Sequence, residues 1–177
     1  MQTLYQKALL FAAEKHTEAK QLLTGSQLPY VVHLSNVAME VLVASQHSEN
    51  LDINFAIQIA LLHDTIEDTA TTFNDIEAHF NKEIAEAVLA LTKNENLEKN
   101  IRMTDSLTRI KKLKKEVAAV KLADRITNLQ TPPKQWDNEK IKNYHKEALQ
   151  ILETLSGTNE YLENRLQAKI EEYKHFF

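Results

Sequence analysis

Three carboxylates and one imidazole crowd into the segment His63-Asp64-Thr65-Ile66-Glu67-Asp68, directly after the apolar run FAIQIALL. An ionised carboxylate beside a core is costly unless a cation or hydrogen bonds compensate it, so the cluster marks either a solvent-exposed helix end or a metal site. Spacing bears on the choice. Ile59, His63 and Glu67 step by four along one line of a helix, and Ala60, Asp64 and Asp68 step along the adjacent line, so both polar pairs continue apolar rows. Further on, Ile110, Leu113, Val117 and Val120 form an apolar stripe whose next member is Asp124, with Lys121, Arg125 and Asn128 around it at helical spacing. Two readings stand for Asp124: a metal ligand, or one half of a buried ion pair with Lys121 or Arg125. His33 opens a helix whose same-face residues, Val37 and Val41, are apolar. Taken alone, such a histidine is more often a hydrogen-bonded core residue than a ligand. His16, His47, His79, His145 and His175 have no such setting and read as structural or exposed.

The chain has no cysteine, so any metal must be held by imidazole and carboxylate groups. Two histidines and two aspartates suit a borderline-to-hard divalent ion with open coordination positions, which lowers the pKa of water and neutralises charge on a phosphoryl oxygen. Glu67 and Asp68, one turn beyond two of these groups, could orient or deprotonate such a water; the plainer reading is a cap or a solvated helix end.

The elements that position these residues are helices. Only two glycines and three prolines interrupt 177 residues rich in Ala, Leu, Glu and Lys, and few stretches alternate as a strand does. The pattern predicts a single all-α domain over 1–177. A first helix is expected over 3–23, then a turn-forming stretch TGSQLPY, a second helix from about His33, and a core helix capped by Asp52 that runs into HDTIEDT. Thr72 and Asn81 read as caps of two short helices. One long helix is expected over 106–129, stopped by Pro132 and Pro133, and two more over 138–155 and 159–173. No start resembles a signal peptide and no apolar run approaches the ~20 residues that span a membrane. These features, with the lack of cysteine, predict a cytoplasmic protein without a membrane partner. The net charge of −4 argues against general nucleic-acid binding. Lys99, Arg102, Arg109, Lys111, Lys112, Lys114 and Lys115 nevertheless concentrate positive charge in one stretch, either attracting a small polyanion or forming a solvated face.

The order His33, His63-Asp64, Asp124 resembles the HD-domain superfamily. PYVVH (Pro29 to His33), LLHDTIEDT and KLADRITNL resemble the hydrolase domain of RelA/SpoT-type alarmone enzymes, and more closely the stand-alone small alarmone hydrolases. The likeness continues through Trp136, Tyr144 and GTNEYLE. It implies an HD-domain helical bundle in which His33, His63, Asp64 and Asp124 hold one Mn²⁺ ion, with other divalent metals chemically compatible. It further implies that Glu67 and Asp68 are the catalytic acid–base pair. The implied reaction is hydrolysis of the 3′-diphosphate of guanosine tetra- or pentaphosphate, water being the nucleophile, to GDP or GTP and pyrophosphate. Asn128 and Tyr144 would touch the nucleoside, and Lys121 or Arg125 would support the site electrostatically. No synthetase-like segment follows, which predicts a hydrolase only. The sequence departs from the resemblance before the Pro-Tyr motif, where members carry an Arg/Lys-rich stretch with an arginine on guanine. Here TEAKQLLTGSQLPY offers Lys20 alone, and Leu22 or Leu23 stands where that arginine is expected. Leu34 also replaces a proline after the first histidine. A second reading follows, in which the substrate is another nucleotide such as NADPH. A third is a catalytically silent nucleotide-binding helical module. No sequence feature sets an oligomeric state.

Overall fold

The computed structural model describes residues 1–177 as helices and connecting turns, with no strand beyond one isolated bridge between Leu22 and Pro29. In chain order the helices are α1 (Gln2–Glu18), α2 (Val31–Gln46), α3 (Ile53–Leu62), α4 (Thr65–Asp68) and α5 (Phe73–His79). They continue as α6 (Lys82–Leu91), α7 (Arg102–Ile110), α8 (Lys115–Asn128), α9 (Asn138–Thr154) and α10 (Glu160–Tyr173), closed by a 3₁₀ turn at Lys174–Phe176. The all-α expectation holds.

α3 is the centre of the bundle. Its residues Phe55, Ala56, Ile57 and Ile59 to Leu62 are buried, as an element apolar on nearly every side requires. It packs against α1, α2, α6 and α8. Asp52 caps it, accepting from the Phe55 N–H at 3.1 Å. The backbone N–H of Asp52 is taken in turn by Glu116 Oε1, 2.9 Å away in the first turn of α8. Buried Glu116 thus fastens the start of α3 to the start of α8. Thr72 forms a capping box with Asp75, and Asn81, Asp137 and Asn159 cap α6, α9 and α10. Each such cap stabilises its helix by about 1 kcal/mol. One contiguous apolar cluster runs from Ala8 in α1 to Tyr173 in α10.

Three expectations are corrected. α1 stops at Glu18 rather than near Leu23, because Lys20 adopts a left-handed backbone (φ 55°) and residues 22–29 close a loop in which the Leu23 N–H bonds to the Leu28 carbonyl. Gly25 supplies the left-handed backbone (φ 77°) that this loop needs, and the loop packs beside Pro133 at ordinary contact distance. The helix expected over 106–129 is two helices. Lys111 to Lys114 form a turn that lets α7 pack on α6 and α9 while α8 enters the core beside α2, α3 and α10. Leu113 is consequently exposed, and Ile110 belongs to α7 rather than to the stripe of Asp124. Finally, α3 ends at Leu62, and HDTIEDT crosses a break into the short α4. No helix is long and apolar enough to cross a membrane.

Candidate metal centre and active-site cleft

Four side chains meet where the first turn of α2, the α3–α4 break and the last turn of α8 converge. His33 and His63 approach through their Nε2 atoms at 3.3 Å. Asp64 Oδ2 lies 3.0 Å from His63 Nε2 and 3.7 Å from His33 Nε2. Asp124 Oδ1 lies 3.3 Å from His33 Nε2 and 3.6 Å from His63 Nε2. The break explains how neighbours His63 and Asp64 both face the centre, since consecutive residues of a continuous helix diverge by about 100°.

The hydrogen bonds set the tautomers. His63 Nδ1 is 2.7 Å from the Ala60 carbonyl, an acceptor only, so Nδ1 carries a proton and Nε2 faces inward, offering a lone pair whenever the ring is neutral. Thr127 Oγ1 gives its proton to the Asp124 carbonyl at 2.9 Å and stands 3.5 Å from His33 Nδ1, orienting that ring in the same sense. Two lone pairs and two carboxylate oxygens facing one point repel each other unless protons or a cation lie between them. His33, His63 and Asp64 offer ligand atoms within 4.8 Å of one another, and Asp124 adds a fourth against both imidazoles. This donor set fits a divalent ion held by nitrogen and oxygen. For His63, burial opposes protonation, but Asp64 and Asp124 outweigh it and hold the pKa well above the ordinary imidazole range. For Asp124, burial opposes ionisation, but Lys121 and the two imidazoles hold the carboxyl well below the usual carboxylate range.

Asp124 realises the ion-pair alternative as well, on its other oxygen. Lys121 Nζ lies 3.0 Å from Asp124 Oδ2, both side chains under one-tenth exposed, and Asn128 Nδ2 donates to Oδ1. Arg125 is paired instead with Glu147 at 3.1 Å, and its guanidinium sits 4.1 Å from the Tyr144 ring centre.

Glu67 and Asp68 line the same cleft but are held differently. Glu67 accepts from the backbone N–H and the Nζ of Lys93, both at 2.8 Å. Asp68 Oδ2 accepts from Gln21 Nε2 at 2.8 Å. Partial desolvation, with the charge of Asp64 next, pushes the Asp68 carboxyl up to about 6. Tyr30 Oη donates to Asp64 Oδ2 at 2.5 Å, and burial together with Asp64 pushes its phenol far above the ordinary range.

Two hollows adjoin at this point. A polar one of about 150 Å³ is lined by Asp64, Glu67, Asp68, Lys93, Lys121 and Asp124 among others. A less polar one of about 240 Å³ has Leu23, Pro132, Pro133, Trp136, Tyr144 and Tyr173 in its walls. Tyr30, Asn128 and Tyr144 belong to both. Nine of the eleven anticipated site residues therefore line one or other hollow, and His63 completes the cluster beneath them. Lys20 does not join them; it is exposed on the turn after α1. Leu23 stands in the wall of the larger hollow. Sequence reasoning missed Lys93, Gln21, Glu147 and the role of Tyr30. Of these only Tyr30 had a local signal, its place in PYVVH.

An all-α bundle that brings a histidine, a His-Asp pair and a later aspartate to one point defines a class, and the HD domain family matches residues 8–159: the chain belongs to the HD-domain family. Its relatives include the metazoan MESH1 proteins. The protein from Danio rerio, named guanosine-3′,5′-bis(diphosphate) 3′-pyrophosphohydrolase MESH1, is 34% identical over 161 residues, which cover 89% of this chain and 87% of that one. The Homo sapiens protein of the same name is 32% identical over 161 residues, with the same coverage. A solved structure of a metazoan ortholog of SpoT that hydrolyzes ppGpp superposes with a TM-score of 0.83 at 28% identity, covering 98% of this chain and 97% of that one.

Proposed function

We propose that the whole chain acts as one HD phosphohydrolase domain that removes the 3′-diphosphate of guanosine tetra- or pentaphosphate, releasing pyrophosphate and GDP or GTP. The observation that carries this reading is the junction of the two hollows: a polar cleft beside the His/Asp cluster, opening onto an aromatic-walled space for a nucleoside. His33, His63, Asp64 and Asp124 would hold a divalent ion, for which we propose Mn²⁺. When bound, such an ion supplies Lewis acidity toward phosphoryl oxygen and lowers the pKa of water.

The side chains take the remaining work. Water attacks the phosphorus attached to the 3′ oxygen; the new P–O bond forms as the bond to the 3′ oxygen breaks, and that oxygen leaves as a hydroxyl. Asp68 accepts the water's proton and passes it to the departing 3′ oxygen, and Glu67, fixed by Lys93, orients the water. Lys121 and Arg125 offset phosphate charge. Asn128, whose Nδ2 is engaged by Asp124, has its amide oxygen to offer a ribose hydroxyl, and Tyr144 packs the nucleoside. Lys20, on the exposed turn after α1, lines neither hollow and takes no part in this reading. The ligand is a free nucleotide rather than a nucleic acid, and the setting is cytoplasmic, in keeping with a chain without cysteine.

Incubating the purified protein with Mn²⁺ and guanosine tetraphosphate tests the reading, with pyrophosphate as the product followed. His63→Ala and Asp64→Ala are expected to abolish turnover. They should also remove the stabilisation by metal, about 2.7 kcal/mol at a free concentration one hundred times Kd. Absence of turnover with every divalent metal tried overturns it. One observation favours a second substrate: Leu23 walls the nucleoside space with no hydrogen-bonding group. Comparing kcat/KM for guanosine tetraphosphate and for NADPH separates the two.

A further inference from the structure

One buried titratable side chain has no part in the chemistry above. His16 in α1 is 2% exposed, and its ring lies 4.8 Å from that of Tyr30, the tyrosine that donates to Asp64. Its Nδ1 is hydrogen-bonded to Gln21 Oε1. An amide oxygen only accepts, so His16 Nδ1 is the donor. Burial disfavours the imidazolium, so the ring is a neutral Nδ1–H tautomer. The opposite end of the same amide, Gln21 Nε2, donates to Asp68 Oδ2 at 2.8 Å. The backbone N–H of Gln21 also bonds to the His16 carbonyl at 3.0 Å, tying the turn to the helix end. With Asp68 ionised and able only to accept, the network favours one amide orientation. Flipped, Gln21 would set an oxygen against the Asp68 carboxylate and an NH₂ against the His16 N–H.

From this geometry we infer that His16 and Gln21 are positioning residues for Asp68: the imidazole fixes the amide, and the amide fixes one carboxylate oxygen, leaving Oδ1 to take the proton. The inference rests on the hydrolase reading of Asp68. Its chemical sense lies in the contrast with the neighbouring acid. Glu67 is clamped through both carboxylate oxygens by one residue, the backbone N–H and Nζ of Lys93. Asp68 is held by a neutral amide, which fixes geometry while taking less of its basicity than a full charge does. The two tethers divide the pair into an acid clamped through both oxygens and one with an oxygen left to take a proton.

Gln21→Leu is expected to lower kcat about 10- to 100-fold while KM stays within about twofold, the pattern of an interaction that matters in the transition state. In an Asp68→Asn background the same substitution should cost less than about twofold, because the group it positions is already gone. His16→Phe keeps the ring against Tyr30 but deletes the donor and should lower kcat; His16→Asn, whose amide N–H can replace Nδ1–H, should recover most of it. This comparison stands even where Gln21→Leu impairs folding. Independently of turnover, ¹⁵N NMR of the metal-free protein should show His16 protonated on Nδ1 and a Gln21 side-chain amide slow to exchange and shifted by Asp68→Asn. A wild type that releases no pyrophosphate sinks the hydrolase reading. A wild type that turns over, with Gln21→Leu retaining full kcat or losing the same factor in the Asp68→Asn background, overturns this inference alone. So do equal kcat values for His16→Phe and His16→Asn, or a Gln21 amide that exchanges like a free glutamine.

Discussion

Replacing Asp124 by leucine would do more than remove a proposed metal ligand, because it strands a buried cation. Lys121 is 7% exposed, and its one hydrogen-bond partner is Asp124 Oδ2 at 3.0 Å. Truncating one member of such a pair leaves the other charged and desolvated, at a cost of about 3–5 kcal/mol. For a chain of this length each kcal/mol moves Tm by about 2–4 °C, so Asp124→Leu should lose roughly 6–20 °C. Adding Lys121→Met should recover most of the loss, since a well-packed apolar pair of similar volume often matches or exceeds an ion pair in stability. The assay is urea and thermal denaturation at neutral pH in EDTA, so that metal contributes nothing to any of the variants. A loss below about 1 kcal/mol for Asp124→Leu, or a double variant no more stable than the single one, refutes the claim that Lys121 depends on Asp124.

Tyr30→Phe removes the donor to Asp64 Oδ2 while keeping the ring against His16 and His33, and should weaken divalent-metal affinity about 10- to 100-fold by calorimetric titration; unchanged affinity would count against an orienting role for the hydroxyl. Asp68 provides a test with a definite sign. Its folded pKa of about 6 exceeds the ordinary 3.8, so its favourable contribution is present below pH 3.8 and is lost as pH rises through 6. Asp68→Asn should therefore lower turnover with Mn²⁺ about 10²- to 10⁴-fold and, at pH 8 in EDTA, raise Tm by roughly 2 °C, a small effect because the group is solvent-screened. A fall in Tm, or a carboxyl ¹³C titration of the metal-free protein near 4, contradicts the assignment.

The caps were legible because capping is local: Asp52, Thr72 and Asn81 each stand just before an apolar periodic run, and each accepts from a backbone N–H of its own helix. Burial of α3 was equally plain from its composition. Asp124 was found through a stripe that was partly mistaken, since Val117 and Val120 share α8 with it while Ile110 and Leu113 do not. Nothing in a run of lysines distinguishes a turn from a solvated helix face; the break before α8 is imposed by the different neighbours of α7 and α8. The tethers on the acids were invisible for a related reason. Lys93 reaches Glu67 across 26 residues and Gln21 reaches Asp68 across 47, so neither pairing leaves a periodic trace. His33, whose local pattern suited a core histidine, is both buried and in contact with the other three members of the cluster.

The bond from the Asp52 N–H to Glu116 looks remote from any nucleotide, yet α3 and α8 touch the metal centre at their opposite ends. The two helices are fastened once where they begin and meet again through His63 and Asp124. Between those points α3 runs for ten residues, about 15 Å of helix. The pair works as a gauge: how far Asp124 stands from His63 is inherited from where Glu116 grips the start of α3. A carboxylate outside the cluster thereby sets a tolerance on it, and a slip at that distant end would be read as a change in the spacing of the candidate metal ligands.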